Sequence, residues 1–292
     1  MGLFCQDLYI DGAWVPAESG ETFDVINPVN AQPMGKAAKA GRDEARRALE
    51  TAQRAFQVWR KSTPDERSKA LKKAVQMIVA QQEELARLLT MEHGKPLGDA
   101  RKEIKGAIDT FEYYAEEARR ISGEVAPNKS ATTRSLVIRQ PVGVVAAIAP
   151  WNYPVSLMAW KLAPALAAGC TVVVKPPALA PLACGKVAAI VGEAGFPKGA
   201  VNMVTGPSSL VGEELITNPI TRMIAFTGST ETGKHLMKAA SADLKKLILE
   251  LGGHTPMVVF KDADLERAVA DGVKRSFRNM GQICNAVNRI YV

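Results

Sequence analysis

Apolar residues recur at helical spacing along the first part of the chain and in unbroken runs along the middle. From Arg42 onwards, Ala45, Ala48, Leu49, Ala52, Ala55, Phe56 and Trp59 return every three or four positions, which marks one face of a helix. Thr63, Pro64 and Glu66 then supply a helix start: a hydroxyl N-cap, a proline in the first turn and an acid to close a capping box. Ile104, Ile108, Phe111, Ala115 and Ala118 form a stripe on a further helix. Ahead of them, "LYIDGAWV" alternates around Asp11-Gly12, a pair suited to a type I′ hairpin turn. After Val142 the texture changes. "VGVVAAIAP" and "TVVVK" are continuous apolar runs, as strands covered on both faces require. With "VNMV", "RMIAF" and "KLILE" they alternate with helical stretches: one ending at Gly169, then Pro181 to Ala194, Ser208 to Thr217 and Thr230 to Ala240. The alternation predicts βαβ units and an α/β fold with a doubly wound, mostly parallel sheet behind N-terminal helices. "TTRSLVIRQ" predicts a separate exposed strand, and Asp264 to Val292 one helix and the strand "NRIYV".

A chain of 292 residues accommodates one large core or two domains. Its apolar fraction of 47% and charged fraction of 23% are ordinary for a globular protein. No apolar run reaches the roughly 18 residues of a membrane helix. The N-terminus lacks the basic and apolar regions of a signal peptide. Gly2 follows Met1, but "LFCQ" does not place Ser or Thr where a myristoylation motif needs it. The four cysteines form no CxxC pair and the three histidines are scattered, so no metal site is expected and a reduced, cytoplasmic protein is. The net charge of +7 is interspersed with acids, as in "DEARRALETAQR", the pattern of solvated helix faces, so no nucleic-acid partner is expected. Internal repeats are absent.

Parallel sheets bind ligands at the carboxyl ends of their strands. That directs attention to "APWN", "KPPA", "FTGSTETG" and "LELGG". In "FTGSTETGKH", Gly228 and Gly233 follow a strand and open a helix, a turn that lets backbone N–H groups approach a phosphate. The stretch nearly matches a P-loop, but His235 stands where a magnesium-binding hydroxyl belongs, which argues against ATP. Lys175 ends a buried strand, where it either snorkels outward or reaches a ribose or phosphate. Asn152 is either a turn asparagine or an amide donor to a developing oxyanion. Glu250, beside Gly252-Gly253, is either an ordinary strand-end acid or a partly buried general base. Cys284, in "GQICNA", is a potential thiolate nucleophile. Cys170 and Cys184 read as packing residues, and Cys5 as inert.

"PWNYP", "VVVKP", "FTGSTETG", "LELGG" and "GQICNA" occur in the order and spacing of the NAD(P)-dependent aldehyde dehydrogenase superfamily, which the chain resembles from about Leu8 to Val292. The resemblance implies a Rossmann-type fold and oxidation of an aldehyde to its acid with NAD or NADP. Cys284 looks like the nucleophile, Glu250 like the base for the hydrolytic water and Asn152 like the side-chain half of the oxyanion hole, the Cys284 backbone N–H being the other half. Trp151, Asn152, Lys175, Ala178, Gly228, Ser229, Gly233 and Leu251 resemble cofactor contacts. The implied division is a dinucleotide-binding domain over 1–123 and 142–250, a bridging or oligomerisation segment over 124–141, and the start of a catalytic domain over 251–292. No CoA-dependent step is expected, because Glu250 provides for water. The competing reading is a nucleotide-binding fragment or pseudo-enzyme without catalysis.

The texture of "ALAAGCTVVVKP" and "FRNMGQIC" is closest to the succinate-semialdehyde dehydrogenase branch. That branch looks to hold the substrate carboxylate with two arginines. Arg278 matches one; Trp160 stands in place of the other, so a charge-assisted contact is missing. Ala178 replaces the glutamate by which NAD-preferring relatives hold the ribose hydroxyls, so a 2′-phosphate is not repelled and NADP is as well accommodated as NAD. The family's chains continue beyond the point matched by Val292, so the chain looks truncated after its cysteine. A homo-oligomer is expected of the full-length protein.

Overall fold

The computed structural model describes residues 4–292; Met1, Gly2 and Leu3, including the glycine weighed for myristoylation, lie outside the described residues. Strands β1 (Phe4–Gln6), β2 (Leu8–Ile10), β3 (Ala13–Val15), β4 (Thr22–Asn27) and β5 (Gln32–Ala38) open the fold. Asp11 and Gly12 both take positive φ, 58° and 74°, as the type I′ turn between β2 and β3 requires. Helices α1 (Arg42–Trp59), α2 (Pro64–Ala80), α3 (Gln82–His93) and α4 (Leu97–Glu117) come next. The capping box is formed as expected: Glu66 N–H donates to Thr63 Oγ1 at 3.2 Å, and Thr63 N–H to Glu66 Oε2 at 2.7 Å. Strand β6 (Glu124–Ala126) pairs antiparallel with β7 (Ser135–Val137), the exposed strand anticipated in "TTRSLVIRQ".

The alternating half comprises β8 (Val144–Ile148), α5 (Pro154–Ala167), β9 (Thr171–Lys175), α6 (Leu182–Gly192), β10 (Val201–Met203), α7 (Glu213–Thr217), β11 (Thr221–Thr227), α8 (Thr230–Ala240) and β12 (Lys246–Glu250). The helix expected over 208–217 begins instead as a π-helical turn, Ser208–Gly212, and becomes α-helical only at Glu213. Beyond β12 lie β13 (Thr255–Val258), α9 (Leu265–Phe277) and β14 (Val287–Tyr291), the last two as expected. Strand β14 is not left alone: it pairs in parallel with β13, which the sequence reading did not anticipate.

The main sheet has the order β12-β11-β8-β9-β10-β2-β3, parallel from β12 to β10 and antiparallel through β2 and β3. Period-two alternation decides what each side chain meets. Val144, Ala146 and Val173 pack with Ala48, Leu49, Leu215 and Leu236 of α1, α7 and α8. Val145, Ala147, Val172 and Val174 pack with Met158, Leu162 and Val187 of α5 and α6. Both faces of the central strands are buried, which is why they read as unbroken apolar runs. In chain order β8, β9 and β10 are laid down in one direction, and β11 and β12 return to the other side of β8. The topology therefore reverses between β8 and β11, the switch point beyond whose carboxyl ends sheets of this kind bind their ligands.

Candidate active site

The segments that leave those strand ends carry the residues singled out from sequence. Asn152 and Trp151 come after β8, Lys175 ends β9, Gly228 and Ser229 come after β11, and Glu250 and Leu251 close β12. The side chain of Asn152 accepts from Tyr153 N–H at 3.0 Å, and its Nδ2 donates to the carbonyl of Gln282 at 3.0 Å. Gln282 lies two residues before Cys284, so the amide reaches the cysteine loop directly. An amide has two N–H groups; the one not spent on Gln282 is free for an incoming oxygen.

Cys284 sits exposed in a turn between a 3₁₀ segment and β14. Its carbonyl oxygen packs against Gly253: a Cβ there would lie 3.4 Å from it. That contact brings the cysteine loop onto the glycines that come after Glu250. The turn before the cysteine has three successive residues in the left-handed region, Asn279 (φ 50°), Met280 (φ 60°) and Gly281 (φ 74°). Asn279 tolerates that conformation better than most residues. It is buried, and its Nδ2 lies 3.1 Å from the Asn152 carbonyl and 3.2 Å from the Gln282 carbonyl. Sequence reasoning missed Asn279, although an asparagine before Met-Gly was a visible turn signal.

Two buried lysines line the strand ends. Lys175 does not snorkel outward: it is 6% exposed, and burial alone depresses its pKa. No ion pair holds it among the described residues, and its Cε lies 3.9 Å from where a Cβ of Gly212 would sit. Lys161, on α5, was not anticipated. Its Nζ donates to Leu157 O at 3.0 Å and Thr227 Oγ1 at 2.6 Å, at the end of β11. Burial pushes its pKa down to about 8, against the opposing attraction of Glu250.

The glycine turn is built as expected. Ser229 caps α8, accepting from Thr232 N–H at 3.2 Å. Gly228 N–H, however, is spent on the Glu250 carbonyl at 3.0 Å, so the amides left for an anion are those of Ser229, Thr230 and Glu231. Gly233 lets α8 settle on Leu251, whose Cδ2 would lie 2.7 Å from an added Cβ. His235 binds Glu213 Oε1 at 2.6 Å, a tie between α8 and α7 that explains an imidazole in place of a P-loop hydroxyl.

The remaining candidates need adjustment. Glu250 is exposed, not partly buried, because β12 is the sheet edge and its side chains alternate between half-buried and exposed. Ala178 is exposed beyond Lys175. Trp151 is also exposed and stacks on His93 with centroids 6.3 Å apart, beside a cavity of about 490 Å³ that Leu179, Ala180 and Gln282 share. Burial, then the charge of Lys95, holds His93 down to about 4, so its ring is neutral near pH 7. Arg278 lies over the Tyr153 ring, 5.8 Å from its centroid, whereas Trp160 faces a separate cavity with Asp109, Tyr113 and Tyr114. Among the described residues no group of acids, histidines and cysteines is arranged to hold a metal ion, and no helix is long and apolar enough to cross a membrane.

Comparison with known proteins agrees with this geometry. Residues 14–292 match the Aldehyde dehydrogenase family. The chain is 46% identical to the succinate-semialdehyde dehydrogenase [NADP(+)] of Escherichia coli, over 99% of this chain and 60% of that protein. It is 46% identical to the glutarate-semialdehyde dehydrogenase of Pseudomonas aeruginosa, with the same coverage of each chain. The crystal structure of an NADP-dependent enzyme of E. coli superposes with a TM-score of 0.97 at 46% identity, over 99% of this chain and 60% of that one. The chain thus spans about 60% of the length of the curated relatives it matches. A doubly wound sheet with an amide, a glycine turn and a cysteine loop at its switch point, matched over nearly every residue, places the chain in the aldehyde dehydrogenase family.

Proposed function

We propose that this chain carries the nucleotide-binding part and the nucleophile of an enzyme that oxidises an aldehyde to its carboxylic acid with NAD or NADP. The observation that carries the reading is the Asn152 amide bonded to Gln282, two residues from an exposed cysteine: an N–H donor and a thiol share one loop contact. The cofactor site has a fitting chemistry. Lys175 presents a buried cation without an acidic partner, the start of α8 offers the amides of Ser229, Thr230 and Glu231, and Gly233 and Leu251 close the helix onto the strand end. Trp151 and Ala178 flank it, and without a carboxylate at Ala178 the site tolerates a 2′-phosphate. When bound, the nicotinamide accepts a hydride.

The chain's own residues perform the rest. The Cys284 sulfur adds to the aldehyde carbon, and the Asn152 N–H, with the Cys284 backbone N–H, meets the oxyanion. Losing one such donor costs about 3–4 kcal/mol of transition-state stabilisation. Departure of the hydride leaves a thioester on Cys284, and Glu250, three residues before the Gly253 that meets the Cys284 carbonyl, deprotonates the water that hydrolyses it. Arg278, over the Tyr153 ring, is the substrate-side cation; Trp160, assigned to the substrate side from the resemblance, lines a separate cavity with Tyr113 and Tyr114. A semialdehyde bearing a carboxylate, succinic semialdehyde first, fits a site with one arginine and the named relatives. The sheets support a dinucleotide-binding unit over 1–123 and 142–250, a bridging hairpin over 124–141 suited to homo-oligomer contacts, and the start of a catalytic unit over 251–292. A cytoplasmic location accords with the same reading.

The exposure of Glu250 favours one alternative, a nucleotide-binding fragment that does not turn over. Adding succinic semialdehyde with NADP or NAD and following reduced cofactor separates the two. Turnover that disappears in Cys284→Ala supports the enzyme. Saturable cofactor binding with no reduced cofactor, and no aldehyde adduct on Cys284 by mass spectrometry, supports the alternative.

A further inference from the structure

Behind Asn152 lies an ion pair that the proposed chemistry does not use. Lys95 and Glu103 are both fully buried, and Lys95 Nζ donates to Glu103 Oε2. Helix α3 ends at Gly94, whose left-handed φ of 82° ends the helix just before Lys95. Lys95 Nζ also donates to the Asn152 carbonyl at 3.0 Å and stands over the Tyr153 ring, 4.3 Å from its centroid. The other oxygen of Glu103 accepts from Val155 N–H at 3.0 Å and Ser156 N–H at 3.2 Å. These are the first amides of α5, a helix whose own N-cap, Tyr153, provides no side-chain acceptor. Glu103 therefore caps α5 from α4, and Lys95 both balances that carboxylate and grips the carbonyl one residue before Tyr153.

A buried ion pair is weak evidence for stability, because an apolar pair of similar size often serves as well. Here the geometry gives it another use. The Asn152 carbonyl has two donors, Lys95 and Asn279; Asn279 also holds the Gln282 carbonyl, which the Asn152 amide itself binds. The bonds run without a gap from Glu103 through Lys95 and Asn152 to the loop of Cys284. Fixing the carbonyl fixes the peptide plane on which the side-chain amide is mounted, and oxyanion donors act only when held in place beforehand.

We propose that Lys95 and Glu103 are positioning residues that hold the Asn152 amide in the orientation bonded to the Gln282 carbonyl, beside the cysteine loop. The proposal rests on the reading of Asn152 as an oxyanion donor, but its test does not need turnover. The variants are Lys95→Met, which leaves a buried carboxylate unpaired, and the double variant Lys95→Met/Glu103→Gln, which removes that charge and keeps an oxygen for the α5 amides. Thermal unfolding reports stability. The side-chain amide of Asn152, assigned by its disappearance in Asn152→Asp, is followed by NMR in the 292-residue chain. Lys95→Met is expected to lower the unfolding midpoint or fail to fold, and the double variant to recover most of the midpoint. In the double variant the Asn152 amide protons are expected to shift and to exchange with water about tenfold faster, as loss of a charge-assisted bond implies. A double variant with the wild-type Asn152 signal and exchange rate overturns the proposal, and so does one that stays as unstable as Lys95→Met. Absence of aldehyde oxidation in the wild-type chain would count against the proposed function alone and would leave this result unchanged.

Discussion

At the scale of single residues, reactivity depends on what surrounds each thiol. Cys184 is fully buried and its thiol is pushed well above the usual range by burial, then by Glu92; Cys170 is raised by burial too. Cys5 and Cys284 are exposed. Iodoacetamide treatment and then peptide mass spectrometry should therefore show Cys284 labelled well ahead of Cys170 and Cys184, which react only on unfolding. Labelling of Cys184 at the rate of Cys284 would contradict the fold as well as the site. Arg278 offers a second test, since it is the one substrate-side cation named from sequence. Arg278→Ala should weaken transition-state binding of succinic semialdehyde by about 1.5–3 kcal/mol and that of butyraldehyde much less. Equal losses would assign Arg278 to its stacking on Tyr153 alone. What was legible at this scale was placement carried in a motif: Asn152, Lys175 and the glycine turn lie at strand ends, and Cys284 lies in the loop that the Asn152 amide bonds. Lys95, Glu103 and Lys161 were not, because their significance lies in burial and partners that spacing does not display: Glu103 sits among the charges of "RKEIKGAIDTFE" and reads as a solvated side chain, whereas Lys161 stands alone in an apolar helix and Lys95 in the connector between two helices.

Elements were read well where one period dominated. Helix α2 began where its Thr63 cap put it, and in the alternating half the strands and helices fell where apolar runs put them, apart from the π-helical start over 208–212. The β4–β5 hairpin escaped because "TFDVIN" and "QPMGKAA" mix charge, proline and glycine; Gly35 is there because a Cβ would lie 2.6 Å from the Phe4 carbonyl of β1. Helix α3 escaped because Gln81 alone separates it from α2. Its last turn carries Glu92, which caps α6 across the fold: the carboxylate accepts from Leu182 N–H at 2.8 Å and Ala183 N–H at 2.9 Å. Burial nonetheless pushes Glu92 up to about 8 from near 4.5. Between those values the native protein retains a proton that the unfolded chain has released, so the free energy of unfolding falls as pH rises through the window. Glu92→Gln cannot ionise. It should be less stable at low pH, having lost one oxygen acceptor, and its unfolding midpoint should fall less steeply than wild type between about pH 5 and 8, a range set by that shift. Parallel midpoint-versus-pH curves would show that Glu92 is ionised throughout, stabilised by the α6 amides.

Across the whole molecule the main sheet and the 251–292 segment are unevenly covered. The central strands have both faces covered and nearly all their side chains buried. Beyond β12 the position is reversed. On α9, Leu265, Val269, Val273 and Phe277 recur every fourth residue, and all four are more than half exposed, at 67%, 59%, 57% and 73%. Val258, Phe260 and Ile290 add to this exposed apolar surface, at 55%, 72% and 50%. Only Gly272 of α9 is buried, 3.6 Å separating its would-be Cβ from Ile290 Cδ1 and Met257 Sδ, so the helix touches the β13–β14 pair by its smallest residue. An amphipathic helix normally buries its apolar stripe, and exposed patches of this kind drive association. The sequence displayed that stripe clearly; what it could not display is which surface the stripe meets. The 292-residue chain is therefore expected to associate increasingly with concentration, as read by light scattering. Val269→Glu with Phe277→Glu should reduce association strongly without lowering the unfolding midpoint, because neither side chain contributes to the buried core. A monodisperse monomer at high concentration in the unmodified chain would overturn the expectation that this exposed stripe drives association.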